Sequence, residues 1–199
     1  SLFFGLIGGS GCQNHFHITF HIPSAADTTI ILGSFYGEKV TPVDSALTDS
    51  KGKVVFRMDE SMHPGMYRVI FGKGLYSDFI FNYEDVVIEI NKDSEKGFEI
   101  IESLENKRYY DFLVYDMNYQ RKMELLNPMV DLYPDDDPFA EEITQQFVSL
   151  QKKRDSVIDF HVREFPDSYA TRLIKLQRSP FLDPALKGEE RFEYLKRHY

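Results

Sequence analysis

Val43-Asp44-Ser45-Ala46-Leu47-Thr48-Asp49-Ser50-Lys51-Gly52-Lys53-Val54-Val55-Phe56, followed shortly by His63-Pro64-Gly65-Met66-Tyr67-Arg68-Val69, reads as strand, turn, strand, turn, strand. Ser50-Lys51-Gly52 is a hairpin-type turn signal. Pro64-Gly65 is a second turn, because proline sets φ at the first central position and glycine permits a positive φ at the next. The same grammar extends outward. Phe16, Ile18, Phe20 and Ile22 alternate with His15, His17, Thr19 and His21, which marks a half-buried strand stopped by Pro23. Thr28–Leu32 is a compact apolar run closed by Gly33, and further strands are expected over Lys39–Leu47, Lys53–Met58, Tyr67–Phe71, Tyr76–Phe81 and Val86–Ile90. About seven or eight short strands with turn signals roughly every ten residues imply an antiparallel β-sandwich or open barrel over 15–101.

From about Leu104 the period changes. Tyr109, Phe112, Leu113, Met117, Gln120, Met123 and Leu126 follow helical spacing, with Asp116 a polar interruption, and the helix is expected to end before Pro128. Asp135-Asp136-Asp137-Pro138 opens the next helix: Asp137 can cap it, Pro138 suits its first turn and the acids complement the positive end of the dipole. Its stripe is Phe139, Ile143, Phe147, Leu150, Val157, Ile158, His161, Val162 and Phe165, ended by Pro166. Asp167 or Ser168 caps a third helix, and a fourth runs from about Gly188 to Tyr199 without a C-cap signal, so the polypeptide is expected to continue. The fold class is therefore α+β, an N-terminal antiparallel sandwich followed by an all-helical region over 102–199.

Composition narrows the function. The net charge of −9 argues against a nucleic-acid footprint, and no run is apolar enough for a membrane span. The lone Cys12 excludes an internal disulfide and a C-x-x-C pair. It follows an apolar stretch, Leu2 to Ile7, and the small residues Gly8-Gly9-Ser10-Gly11, as in a signal peptide or a bacterial lipoprotein site where the cysteine is lipidated. Gly9 stands where the lipoprotein pattern has Leu, Val or Ile. Residues 1–14 are read as such an arm; the alternative is an N-terminal tail with a free thiol.

Three constellations invite chemistry. His15, His17 and His21 share one face of the first strand, and neighbours two apart on a strand lie about 7 Å apart, so His15 and His17 could share a metal if an acid on an adjacent strand closed the site. The alternative is a solvated, histidine-rich face. Asp135 to Asp137 lack the alternating ligands and central glycine of a calcium loop. Ser45 beside Asp44 lacks a strand–turn–helix elbow, and Gly72-Lys73-Gly74 lacks a phosphate-loop context. Lys152-Lys153-Arg154 reads as a solvated helix face, and Tyr109, Tyr110, Tyr115 and Tyr119 read as packing residues or the wall of an aromatic groove. No cofactor is expected.

The block Val43-Asp44-Ser45-Ala46, the turn and strand Gly52-Lys53-Val54-Val55-Phe56, and Pro64-Gly65-Met66-Tyr67 resemble the N-terminal module that precedes a thioredoxin-like domain in envelope thiol-disulfide interchange proteins of Gram-negative bacteria, relatives of the alkyl hydroperoxide reductase/thiol-specific antioxidant group. Glu105-Asn106-Lys107 and Phe165-Pro166-Asp167-Ser168-Tyr169-Ala170 resemble the helical linker of the same proteins. The resemblance implies a periplasmic, envelope location and a non-catalytic role. This chain would position a downstream redox domain or a client protein or peptide, with membrane contact only through a lipid on Cys12. The family's exchange chemistry needs an attacking and a resolving thiol, so no catalytic residue carries over. The alternative from another class is a free-standing surface lipoprotein that binds a peptide or glycan through sandwich loops.

Overall fold

Period-two alternation puts Ile18 and Phe20 of one strand, Val54, Phe56 and Met58 of a second, and Val69, Phe79 and Phe81 of two more on inward faces, and all are withdrawn from solvent. The computed structural model describes residues 14–91 and 97–198. Its strands are β1 (His15–His21), β2 (Thr29–Tyr36), β3 (Lys39–Leu47), β4 (Lys53–Asp59), β5 (Gly65–Gly72), β6 (Leu75–Phe81), β7 (Val86–Ile90) and β8 (Phe98–Glu102), with a 3-10 turn at Pro23–Ala25. Four helices follow: α1 (Leu104–Leu132), α2 (Phe139–Glu164), α3 (Tyr169–Leu176) and α4 (Gly188–His198). The class is α+β, and the chain divides into two units between Leu104 and Glu105.

The strands form two four-stranded sheets, ordered β4-β1-β7-β8 and β3-β2-β5-β6. Side chains from both sheets enter one cluster around Phe20, Phe56, Tyr67, Phe79 and Phe81. The rings meet edge to face, as Phe20 and Phe79 do at 5.6 Å, the arrangement their quadrupoles favour. The pairing is not wholly antiparallel: β1 and β7 run parallel, Ile18 opposite Val86 and Phe20 opposite Ile88. The chain crosses between sheets after β6, so β7 enters beside β1 in the same direction.

The turn at Ser50-Lys51-Gly52 is likewise no hairpin. It carries the chain from β3 in one sheet to β4 in the other, where β4 pairs with β1. Asp49 braces it by accepting from Lys51 N at 2.8 Å and Lys53 N at 2.9 Å, bonds that hold its carboxyl below the usual 3.8. Gly52 adopts φ of 80°, and a Cβ there would stand 2.0 Å from the Ile22 carbonyl oxygen. The carbonyl of Gly52 also accepts from Ile22 N at 2.8 Å, so strand end and turn are in direct contact. The second expected turn also differs. Gly65 is not among the glycines with positive φ; it opens β5 opposite Phe81, and the reversal sits at Asp59–Met62, where Asp59 accepts from Ser61 N at 2.8 Å.

In the helical unit, α1 and α2 are antiparallel neighbours. Phe112 clusters with Ile158, while Met123 and Val130 cluster with Phe147 and Ile143. Between the two clusters lies the polar interruption, Asp116, whose Oδ1 accepts from Arg154 Nε at 2.5 Å. Arg154 also donates from Nη2 to the Gln177 carbonyl at 2.6 Å. α1 does not stop before Pro128 but continues to Leu132. An interior proline costs a helix about 3 kcal/mol; here it sits on the exposed side while Val130 and Met129 beyond it pack on the α2 cluster, which keeps the turn helical. The region is not helical throughout, because residues 177–187 are irregular. Gln151 holds them, exchanging bonds with Leu182 N at 2.7 Å and Leu182 O at 3.0 Å.

Two stability outcomes follow. Gly52→Ala will lower the unfolding free energy by about 2 kcal/mol or more, from the backbone conformation and the clash together, as a shift in urea midpoint will record. Asp116→Asn will cost roughly 3 kcal/mol by leaving Arg154 charged and buried, whereas Asp116→Leu combined with Arg154→Met will recover most of that loss. Chemical denaturation of the three proteins checks the pair, and additive losses in the double variant would refute it.

Candidate functional site

β1 displays the three candidate histidines on the outward face of a central strand, and their neighbours fix what they can do. His15 lies opposite Asp59, His17 opposite Arg57, and His21 between Lys53 and Glu89. His17 Nδ1 is 3.9 Å from Asp85, whose carboxylate is already bonded to His17 N at 2.8 Å. His21 places Nδ1 3.6 Å from Glu89 and Nε2 3.0 Å from the Lys51 carbonyl. The His17 and His21 rings therefore address different carboxylates, and cations stand opposite both. Among the described residues no three His, Cys, Asp or Glu side chains converge to hold an ion. The arrangement is an exposed mixed-charge ladder.

The other expected positions are also structural. Asp137 Oδ1 accepts from Phe139 N at 2.8 Å at the start of α2, and Asp135 pairs with Lys187 at 2.5 Å. Ser45 donates its backbone N–H to Asp44 at 2.7 Å on exposed β3. Tyr119 lies 5.0 Å from the Arg154 guanidinium, Tyr109 and Tyr110 meet edge to face at 5.5 Å, and Tyr115 lines a shallow 740 Å³ groove along α2 with Val148 and Val157. Lys152 and Lys153 are exposed at the rim of that groove, whereas Arg154 turns inward to Asp116, so the basic triplet is split between surface and core. Cys12 and nearly all of the N-terminal arm lie outside the described residues.

A dense polar constellation joins the two linker stretches that carry the resemblance. Glu105, buried in the first turn of α1, accepts from Ser168 Oγ and Ala170 N, each at 2.7 Å, and from Tyr169 N at 3.2 Å. Ser168 caps α3, its Oγ accepting from Thr171 N at 3.3 Å and from Arg108 Nη1 at 3.1 Å. Arg108 in turn lies 3.8 Å over the Phe165 ring. A serine, a glutamate, an arginine and nearby His161 are the ingredients of a hydrolase. Their bonding is that of a clamp: the serine proton is committed to a carboxylate, and that carboxylate is saturated by the N-terminal amides of α3, where the helix dipole favours negative charge. Of the two candidate caps, Asp167 and Ser168, it is Ser168 that fills the position. The partner carboxylate lies 63 residues away, beyond any local motif.

His161 packs among Phe112, Phe160 and Phe165, and its Nδ1 is buried without a hydrogen-bond partner. Burial, aided by the nearby Arg108 charge, holds it below the ordinary 6.5. Between that lowered value and 6.5 the unfolded chain binds more protons, so stability rises with pH through the window. It carries no penalty above 6.5 and the full penalty below the folded value. Urea midpoints measured at about pH 7.5 and about pH 5 should therefore fall on acidification, and His161→Phe should flatten the difference. An unchanged slope in the variant would assign the acid sensitivity elsewhere. No protein-family model matches this chain, and no curated protein matches it.

Proposed function

We propose that this chain is the non-catalytic N-terminal region of an envelope thiol-disulfide interchange protein. In this reading a β-sandwich module over 15–101 and the largely helical segment after it position a downstream thioredoxin-like domain, or present a surface to its client, on the periplasmic side of a bacterial envelope. The observation that supports it is the Glu105–Ser168 clamp. The two stretches that resemble the family's linker, Glu105-Asn106-Lys107 and Phe165 to Ala170, are far apart in sequence and are joined by three hydrogen bonds donated to one carboxylate. Such a joint makes a stiff spacer, which is what a non-reacting segment between two working parts requires.

Chemistry points the same way. Dithiol exchange needs two sulfurs in reach of each other, and this sequence has one cysteine. The serine and histidine nearest to a catalytic pattern are occupied in capping and packing. The chain should show no turnover in an insulin-reduction assay, and the reading frame beyond Tyr199 should encode a Cys-x-x-Cys segment. Turnover by this chain would overturn the non-catalytic role. A stop codon after Tyr199 would instead favour a free-standing surface lipoprotein that binds a peptide or glycan.

A further inference from the structure

Helix α4 buries one side chain, and it is an arginine. Amphipathic helices normally dock through an apolar stripe. Here Phe192 is exposed, and Tyr194 and Leu195 are half-buried. Arg191 reaches inward instead. Its Nε donates to the Leu186 carbonyl at 2.9 Å, and its guanidinium lies 5.5 Å from the centre of the buried Phe147 ring. Nη1 stands 3.1 Å from both oxygens of Asp131 on α1 and donates to Oδ2. The second half of the fork is unmade: Nη2 of Arg191 and Oδ1 of Asp131 are buried without hydrogen-bond partners. A second, exposed ion pair joins Lys187, just before α4, to Asp135.

Beneath this attachment lies a cavity of about 490 Å³ at the end of the α1–α2 hairpin. Met129, Val130, Tyr133 and Ile143, with the polar Asp135 and Thr144, line the hairpin side, and the chain leading into α4, Asp183 to Lys187, lines the other. We propose that residues 183–198 are a displaceable strap at this cavity, latched by Arg191 to Asp131 and by Lys187 to Asp135. The strap surrenders little apolar burial when it lifts, so it opens by itself rather than with the hairpin. The latch is electrostatic and incompletely bonded, so neutralising its acid releases it: a buried guanidinium that has lost its counter-charge is driven back to water.

Hydrogen exchange followed by mass spectrometry on the whole chain tests this. In Asp131→Asn, the amides of 188–198 should exchange about tenfold faster or more than in the parent, while those of α2 keep their parent rates. Equal α4 rates in the two proteins would overturn the latch, as would α2 amides that accelerate in step with α4, or α4 amides already unprotected in the parent. If Asp131→Asn does not fold, Asp135→Asn serves. Its exposed pair is weaker, so an acceleration of about twofold confined to 183–198 is expected, and no acceleration there refutes the strap.

Discussion

Arg154 cannot enter the interior of a helical hairpin alone, and the organisation of the helical unit follows from the company it keeps. Asp116 supplies the counter-charge from α1, the Gln177 carbonyl supplies a further acceptor from beyond α3, and apolar clusters seal both sides of the pair. A charge pair of this kind adds little net stability compared with apolar residues of the same size. Its effect is on register: sliding α1 along α2 by one turn would strand both charges in hydrocarbon. Gln151, one turn earlier on α2, ties the irregular segment to the same surface through Leu182.

The strand unit depends on a different constraint. Its two sheets share one aromatic and aliphatic core, and the chain repeatedly passes from one sheet to the other. Each passage exposes backbone groups that no ladder satisfies. Asp49 and Asp59 meet this need by folding their carboxylates onto the amides of the turn that follows, which also holds both carboxyls below their ordinary range. Gly52 is required because the turn presses against the end of β1, where no side chain fits.

Across both units the polar groups that suggest chemistry are spent on architecture. Histidines on β1 face separate carboxylates, Ser168 and Glu105 cap a helix, and His161 fills an aromatic niche. Polar groups bonded within the fold in this way are suited to holding a shape, which accords with the scaffold role proposed for the chain. On α4 the one buried side chain, Arg191, is left half-bonded.

Seven of the strands, the alternation of β1 and the change from period two to helical spacing near Leu104 were legible in the sequence, because side-chain alternation and periodicity are local properties of a chain at an apolar interface; β8 was not picked out, and on α1 Met117 and Gln120 of the expected stripe are exposed while Asp116 takes the buried side. The Ser168 cap was legible for the same reason. Only the tertiary structure decided which strands pair, that β1 and β7 run parallel, that the Ser50 turn crosses between sheets, and that α1 passes through Pro128. Each of these is settled by contacts between residues distant in sequence. The meaning of Asp116 belongs with them: an acid on an apolar stripe reads as an interruption until Arg154, 38 residues away, is seen to occupy the same space. Glu105 was equally unreadable, since nothing within its own turn reveals that it completes the N-terminus of another helix.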